Sequence, residues 1–462
     1  MKKLIRNWAE KCHFALERVM PDSFIFAILL TFIVFIMALT IVKAPPIKIM
    51  ESWYRGFWAY LAFTMQMVVL MTFGYSLAIS RVGVKIIDAV TGIAKTPAQA
   101  VAVVTAVSAV AGAVNWGLAL VVGIFLCMGA ARRIKGIHWP LLVASSYIGA
   151  MSTITWSFSI TEALLLNSPG WGWSPDIIPT MEKELGQKLT PIGFDQTIYS
   201  FASLVGLILT PLLAIYLCSM MHPAPERARS ISPEVLEKLS GEALFDVQKP
   251  KQMTFADKLN WSRTIWILLC IMMFASLIIW FRGKSFTQID LNIYNFIFIA
   301  VALLFHENLA RFVESLKVAV KASYAFVLQF PFYAGIFGIM AYTGLVKVIV
   351  EWFVAISTPI TYPVVTMIST GFINMFIPSS GGIWMTQGPV MVLAAKKLGV
   401  AINRTIMAFT AGEVLTNTIQ PFFALPLLGA MGMEVRSIMG YCLLATLFEF
   451  ILVALIYTFL PM

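Results

Sequence analysis

Apolar runs of about twenty residues recur along this chain, the length that crosses about 30 Å of hydrocarbon at 1.5 Å of helix rise per residue. They lie near 22–42, 57–80, 98–131, 139–165, 197–221, 263–281, 287–305, 319–343, 362–395, 403–428 and 437–460. Of the 462 residues, 59% are hydrophobic and 12% charged, too little polar surface for a soluble globule. A helix satisfies its own backbone in lipid, so the sequence predicts an all-α polytopic protein with the bilayer as its solvent.

The formal net charge of +10 raises nucleic acid as a partner, but the Lys and Arg residues sit in short loops between spans, where they bias those loops toward the cytoplasm. Membrane topology accounts for the charge, and no nucleic-acid partner is expected. Cys12, Cys127, Cys218, Cys270 and Cys442 are scattered and form no C-x-x-C pair, so neither a disulfide framework nor a metal site is indicated. The N-terminal segment is basic (Lys2, Lys3, Arg6, Lys11, Arg18), and no small-residue cleavage site follows the first apolar run, which reads as a retained helix.

An internal repeat organises the rest. Val84-Lys85-Ile86-Ile87 followed by Thr96-Pro97 recurs as Val346-Lys347-Val348-Ile349 followed by Thr358-Pro359. At nearly the same displacement, Val103-Val104-Thr105 matches Val364-Val365-Thr366, and Thr155 with Ala163-Leu164-x-Leu166 matches Thr416 with Ala424-Leu425-x-Leu427. A shared displacement is not expected of chance matches, and many transporters are built from two copies of one bundle. The division expected is a first repeat over 1–221 with its basic N-terminal segment, a cytoplasmic linker plus one bridging helix over 222–286, and a second repeat over 287–462. One extra crossing inverts the second copy. Arg81, Lys85 and Lys95 precede the 98–131 run and Arg132, Arg133 and Lys135 follow it, so both ends of that run face the cytoplasm and it reads as a re-entrant hairpin. Its expected tip is Asn115-Trp116-Gly117. The same logic places the Trp-rich loop 167–196 outside and makes 362–395 a hairpin from outside, which puts Lys396, Lys397 and Arg404 externally, against the usual bias.

The chemistry is expected where the apolar pattern breaks at membrane depth. A helix does not pass through Pro378-Ser379-Ser380-Gly381-Gly382 without unwinding, and the freed backbone groups can hold a cation or receive an anion at the following helix N-terminus. A kink satisfied by neighbouring helices is the plainer alternative, and for Asn115-Trp116-Gly117 close packing is another. Polar clusters fall at equivalent places: Ser152, Thr153, Thr155, Ser157, Ser159 and Thr161 in the first copy, and Glu413, Thr416, Asn417, Thr418 and Gln420-Pro421 in the second. Any one hydroxyl among them serves equally as helix-to-helix glue. Glu413, an ionisable group within a span, suggests a cation or proton site, with an internally bonded carboxylic acid as the alternative. Glu162 and Glu449 are weaker cases, expected near helix ends where water reaches them. Gln66 and Gln329 interrupt matching spans and face either the translocation path or a neighbouring helix. The stretches 98–131, 362–395 and 405–433 contain no Lys or Arg, so an anion there depends on helix N-termini, hydroxyls and amides, with Na⁺ or H⁺ as companion charge and no other cofactor.

Pro21-Asp22-x-x-Ile25-Phe26-Ala27, Gly56-Phe57-Trp58 with Met65-Gln66-Met67, Lys95-Thr96-Pro97, Asn115-Trp116-Gly117, Tyr147-Ile148-Gly149, Gln329-Phe330-Pro331-Phe332-Tyr333-Ala334-Gly335 and Pro378-Ser379-x-Gly381-Gly382-x-Trp384-x-x-Gln387-Gly388-Pro389 together resemble the bacterial short-chain fatty acid transporter family, the acetoacetate and butyrate permease group of the ion-transporter superfamily. The resemblance covers nearly the whole chain. It implies inverted repeats with paired hairpins, an elevator-type carrier fold, a multi-pass position in the bacterial inner membrane, a small carboxylate as substrate and, by analogy with elevator-type relatives, a homodimer. Ser380 departs from the family pattern, which tends to carry Gly there. The expected substrate contacts are Asn115, Trp116, Gly117, Ser379, Ser380, Gly381, Gly382, Gln387, Thr155 and Asn417, and the expected cation-coupling contacts are Glu413, Asn115, Ser379 and Thr416.

Other classes fit less well. A pump driven by ATP needs a G-x-x-x-x-G-K-[ST] loop, which is absent. An intramembrane hydrolase built on Ser379 or Ser380 lacks an evident base, because His13, His138, His222 and His306 fall at span ends or in loops, so the chain is not expected to be an enzyme. An anion channel or facilitator, and a carrier of another small carboxylate such as a dicarboxylate, stay open as alternatives.

Overall fold

A computed structural model describes residues 2–58, 61–173, 178–234, 236, 249–250, 252–283 and 291–462. The expected boundary between the bridging helix and the second repeat, at 286/287, lies outside the described residues, as does part of the linker. The described residues form α-helices joined by loops and short 3₁₀ turns. The first half runs α1 (Lys2–Val19), α2 (Ser23–Thr40), α3 (Pro46–Phe57), α4 (Leu61–Ala78), α5 (Arg81–Thr91), α6 (Pro97–Val114), α7 (Trp116–Arg133), α8 (Trp139–Ile154), the short α9 (Thr161–Leu166), α10 (Ile178–Leu185) and α11 (Phe201–Met221). Then come α12 (Phe255–Asn260) and α13 (Arg263–Phe281). The second half runs α14 (Leu291–Phe305), α15 (Leu309–Ala319), α16 (Tyr324–Tyr342), α17 (Leu345–Ala355), α18 (Tyr362–Asn374), α19 (Ser380–Leu398), α20 (Ile402–Asn417), α21 (Pro421–Met431) and α22 (Arg436–Phe459).

Among the described residues, 6 helices are long and apolar enough to cross a membrane, or up to 9 if each sharply bent pair counts as one span. The bends have local causes. The α4/α5 pair turns by 78° and α16/α17 by 65°, in each case where a long apolar helix meets an amphipathic one. Helix α5 buries Gly83, Ile87 and Thr91 at four-residue spacing, one stripe of its surface. The α20/α21 pair bends by 41° at Gln420-Pro421, where the proline ring removes an N–H and suits only the first turn of a new helix. The 139–165 run, expected as one span, is likewise broken: α8 ends at Ile154 and α9 begins at Thr161. Between them Ser157, Ser159 and Phe158 bond to neighbouring groups instead of continuing the helical ladder.

The two halves share a packing device. On α6 and α8, a Cβ added at Gly149 would strike the Thr105 carbonyl, and one at Gly112 the Ala150 carbonyl. On α18 and α20, Gly412 lies equally close to the Met367 carbonyl and Gly371 to Thr416. Small residues let backbones approach closely where lipid supplies no hydrophobic drive between helices. Gly149→Val is therefore expected to force α6 and α8 apart, costing about 1–3 kcal/mol of overpacking strain. A lowered thermal-unfolding midpoint of the purified protein in detergent checks this, and an unchanged midpoint counts against it.

Helices α7 and α19 run from the middle of the molecule to opposite ends. Helix α7 finishes at Arg133, which lies 3.6 Å from Asp88, at the end where Arg227 meets Glu10 at 2.7 Å and Arg229 meets Glu17 at 3.0 Å. Helix α19 finishes where Lys396 donates to the carbonyls of Glu184, at 3.1 Å, and of Leu185. Arg404 donates to the carbonyls of Tyr457 at 2.6 Å and Leu460 at 2.8 Å. These cations, which ran against the charge bias in the sequence, are thus occupied with backbone carbonyls at the ends of α10 and α22, the expected use of a positive group at a helix C-terminus.

Candidate functional site

Each hairpin tip is an N-terminal cap. Asn115 closes α6 and opens α7, its side-chain oxygen accepting from the Leu118 N–H at 3.0 Å. The Trp116 N–H donates to Ser159 Oγ at 3.1 Å, and the Phe158 N–H to the Ala113 carbonyl at 3.3 Å, so the tip is fixed to the break between α8 and α9. In the second hairpin Ser379 caps α19, accepting from the Gly382 N–H at 3.3 Å. The Asn374 amide, at the end of α18, donates to the Glu413 carbonyl at 3.0 Å, Thr416 Oγ1 at 3.0 Å and Asn417 Oδ1 at 2.6 Å. That tip is fixed to the end of α20.

The two tips meet at one cavity of about 200 Å³. Its polar lining is Ser159, Thr161, Ser379, Ser380, Gly381, Glu413 and Asn417, and its apolar lining includes Trp116, Met151, Ile154, Ile160, Val414 and Phe423. Among the described residues, no Lys, Arg or His lines it. The first N–H groups of a helix have no intrahelical partner. In α19 the Gly382 N–H is taken by Ser379 Oγ and the Ile383 N–H by the Ser379 carbonyl, which leaves those of Ser380 and Gly381 at the cavity with the positive end of the helix dipole. Ser380 Oγ donates to Glu413 Oε1 at 2.8 Å, and Asn417 Nδ2 donates to the same oxygen at 3.0 Å. The Asn417 carbonyl accepts from Tyr147 of α8 at 2.6 Å, tying the two halves together beside the cavity.

Of the residues singled out from sequence, Trp116, Ser159, Thr161, Pro378, Ser379, Ser380, Gly381, Glu413 and Asn417 line this cavity. The others stand behind it. Asn115 and Gly382 form the caps, and Gly117 packs on Leu70. Gln387 is fully buried and bridges the two arms of its hairpin, donating to Ser369 Oγ and Thr370 Oγ1 at 3.2 Å each. Thr416 bonds the Gly412 carbonyl at 2.8 Å, and Thr155 is buried at the end of α8. Gln66 pairs with Asn292 at 2.7 Å and Gln329 with Ser23 at 2.8 Å, so both join helices.

One expectation is corrected. Glu162 and Glu449 were placed where water reaches them, yet both are 0% exposed, because α9 turns inward against α19 and Glu449 sits in the middle of α22. The Trp-rich loop, expected outside, packs against the second hairpin. Trp173 stacks on Trp384 with centroids 5.3 Å apart, and Trp384 Nε1 donates to the Trp171 carbonyl at 2.9 Å. Asn374 and this tryptophan cluster were missed; the only signal for Asn374 was an amide near the end of an apolar helix, just before a break.

The fold and the cavity define a multi-pass helical membrane protein with a chamber enclosed by two broken hairpins. The sequence matches the family described as Short chain fatty acid transporter over residues 4–460, and the chain belongs to that family. It is 36% identical over 435 residues to a protein of Escherichia coli (strain K12) named "Putative short-chain fatty acid transporter", covering 94% of each chain. A Haemophilus influenzae protein of the same name is 34% identical over 434 residues, again with 94% of each chain covered. The solved structure of the Alcanivorax borkumensis YdaH transporter aligns over 94% of this chain and 98% of its own at 12% identity, with a TM-score of 0.45, a likeness too loose to place residues.

Proposed function

We propose that the chain is a secondary carrier that moves short-chain monocarboxylates such as butyrate and acetoacetate, together with Na⁺ or H⁺, across the bacterial inner membrane. The observation that carries this reading is the meeting of both hairpin tips at one cavity without a basic side chain. The acid's carboxylate faces the free N–H groups of Ser380 and Gly381 with Asn417 beside them, and its short alkyl chain lies against Trp116, Ile160 and Phe423. Asn115, Ser379 and Gly382 act by holding the helix N-termini in place; Gly117, Gln387, Thr155 and Thr416 hold the helices behind them. A bound anion stands next to Glu413, so a cation must enter with it.

The hairpins' approach from opposite ends supports an inverted-repeat carrier that exposes the cavity alternately by an elevator-like movement. Helix α13 occupies the register of the polar α1, some 262 residues on, and supplies the extra crossing that inverts the second half. A homodimer completes the proposal, since the part that carries the cavity must move against an anchored part.

The test is exchange in proteoliposomes. Labelled butyrate is expected to enter faster when unlabelled butyrate is trapped inside, and a cation gradient is expected to drive its accumulation. Absence of trans-acceleration with rapid downhill flux indicates a channel. Competition by succinate rather than by acids of two to six carbons identifies a dicarboxylate carrier.

A further inference from the structure

Glu162 and Glu413 form a pair that the sequence did not bring together. Glu413 lines the cavity from α20; Glu162 comes from the first turn of α9, which packs against α19. Their exposures are 1% and 0%, and Thr161, the neighbour of Glu162 in the chain, faces Gly381 and lines the same cavity as Glu413. The two oxygens of Glu413 differ. Oε1 accepts from Ser380 and Asn417, whereas Oε2 receives no donor, and neither oxygen of Glu162 receives one. Buried polar atoms are nearly always hydrogen-bonded, and three adjacent orphaned acceptors are costly unless something donates to them.

Among the described residues, the surroundings offer the pair no cation. Helix α9 packs on the Pro169–Gly172 turn, which has no titratable residue, and on α19, whose Lys396 and Lys397 lie at its far end. Helix α20 packs on α8, α18, α19, α21 and α22. Tyr147 of α8 gives its hydroxyl to the Asn417 carbonyl, and Tyr362 of α18 gives its own to the Met391 carbonyl. Helix α21 has no titratable group, and α22 carries Arg436, Tyr441, Cys442, Glu449 and Tyr457. Arg404, on α20 itself, is nine residues from Glu413, about 13 Å along the helix, and is committed to the carbonyls of Tyr457 and Leu460.

We propose that the coupling ion is a proton, shared between Glu162 and Glu413 Oε2 while the acid is bound. This rests on the carrier reading above and names its companion ion. Two ionised carboxylates side by side, with a third carboxylate arriving in the cavity, is the arrangement that like charge most strongly disfavours. One proton on Glu162 donates to Oε2, removes one charge and gives two of the three orphaned oxygens a partner without any further ligand. The substrate anion then meets a pair carrying one negative charge fewer. The proton leaves when the acid leaves, so one anion and one proton move together without net charge.

Because undissociated short acids cross lipid unaided, the experiment measures binding. Butyrate affinity of the purified protein in detergent is followed by calorimetry from about pH 6 to pH 9 in Na⁺-free buffer, for the wild type, Glu162→Gln and Glu413→Gln. On the alkaline side the wild-type Kd is expected to rise tenfold per pH unit, with one proton taken up per butyrate. In Glu162→Gln an amide N–H replaces the shared proton, and both the slope and the proton uptake are expected to vanish. A Kd that depends on Na⁺, or a slope that survives in Glu162→Gln, overturns the proposal. Infrared titration gives a reading without substrate: a carboxylic-acid C=O band that grows in the wild type as the pH is lowered and is lost in both variants supports the pair, and its retention in Glu162→Gln refutes it. If butyrate fails to bind at any pH while that band is lost as expected, the substrate assignment fails and the proton pair stands.

Discussion

Asn374→Ala is expected to abolish butyrate exchange while leaving the helical content of the protein unchanged. One amide holds the tip of the second hairpin to α20 through the Glu413 carbonyl, Thr416 and Asn417. Interhelical hydrogen bonds inside membranes contribute about 1–2 kcal/mol at most. Truncation does more than delete them, because acceptors left buried without a donor cost about 1–3 kcal/mol each. Asn417 then loses the partner that orients it toward Glu413, and the N-terminus of α19 loses its position at the cavity. Exchange in proteoliposomes and circular dichroism check the two halves of this expectation. Normal exchange by the variant would show that the tip is held some other way. Asn374→Asp, which keeps the size but replaces the donor by an acceptor facing other acceptors, is expected to be at least as damaging.

Trp384→Ala is the change with the largest expected effect on stability, about 3–5 kcal/mol for a fully buried indole. Trp384 is 0% exposed, stacks on Trp173, meets Phe409 edge-on at 5.6 Å and donates to the Trp171 carbonyl. Its loss detaches the loop that joins α9 to α11 from the second hairpin. Thermal unfolding followed by a thiol-reactive dye, which reaches the buried Cys127, Cys218 and Cys442 only as the helices open, reads the effect directly. Trp384→Phe keeps most of the stacking and loses only the donor, so it is expected to fall between wild type and alanine. Equal midpoints for all three proteins would mean that the tryptophan cluster does not brace the hairpin.

Periodicity was strong wherever lipid was the solvent. The long apolar runs marked their helices to within a few residues, and Pro378 and Gly381-Gly382 marked the break before α19. Amphipathic helices such as α3, α5 and α15 escaped a search for long apolar runs, because only one stripe of each is apolar. The hydroxyl cluster at 152–161 announced polarity at depth but not a break, since Ser and Thr fit both inside a helix and outside one.

The sequence by itself determined an all-helical membrane protein, its family and the two places where chain unwinds, since these follow from local composition and from residues that a continuous helix excludes. Only the tertiary structure decided which polar groups share the cavity. Ser380, Glu413 and Asn417 are brought to one point with Glu162, which is about 250 positions away from Glu413 in the chain, by close crossings of helices at glycine and by the inward turn of α9. Local pattern records which side of a helix is apolar; it carries no record of which distant carboxyl stands opposite.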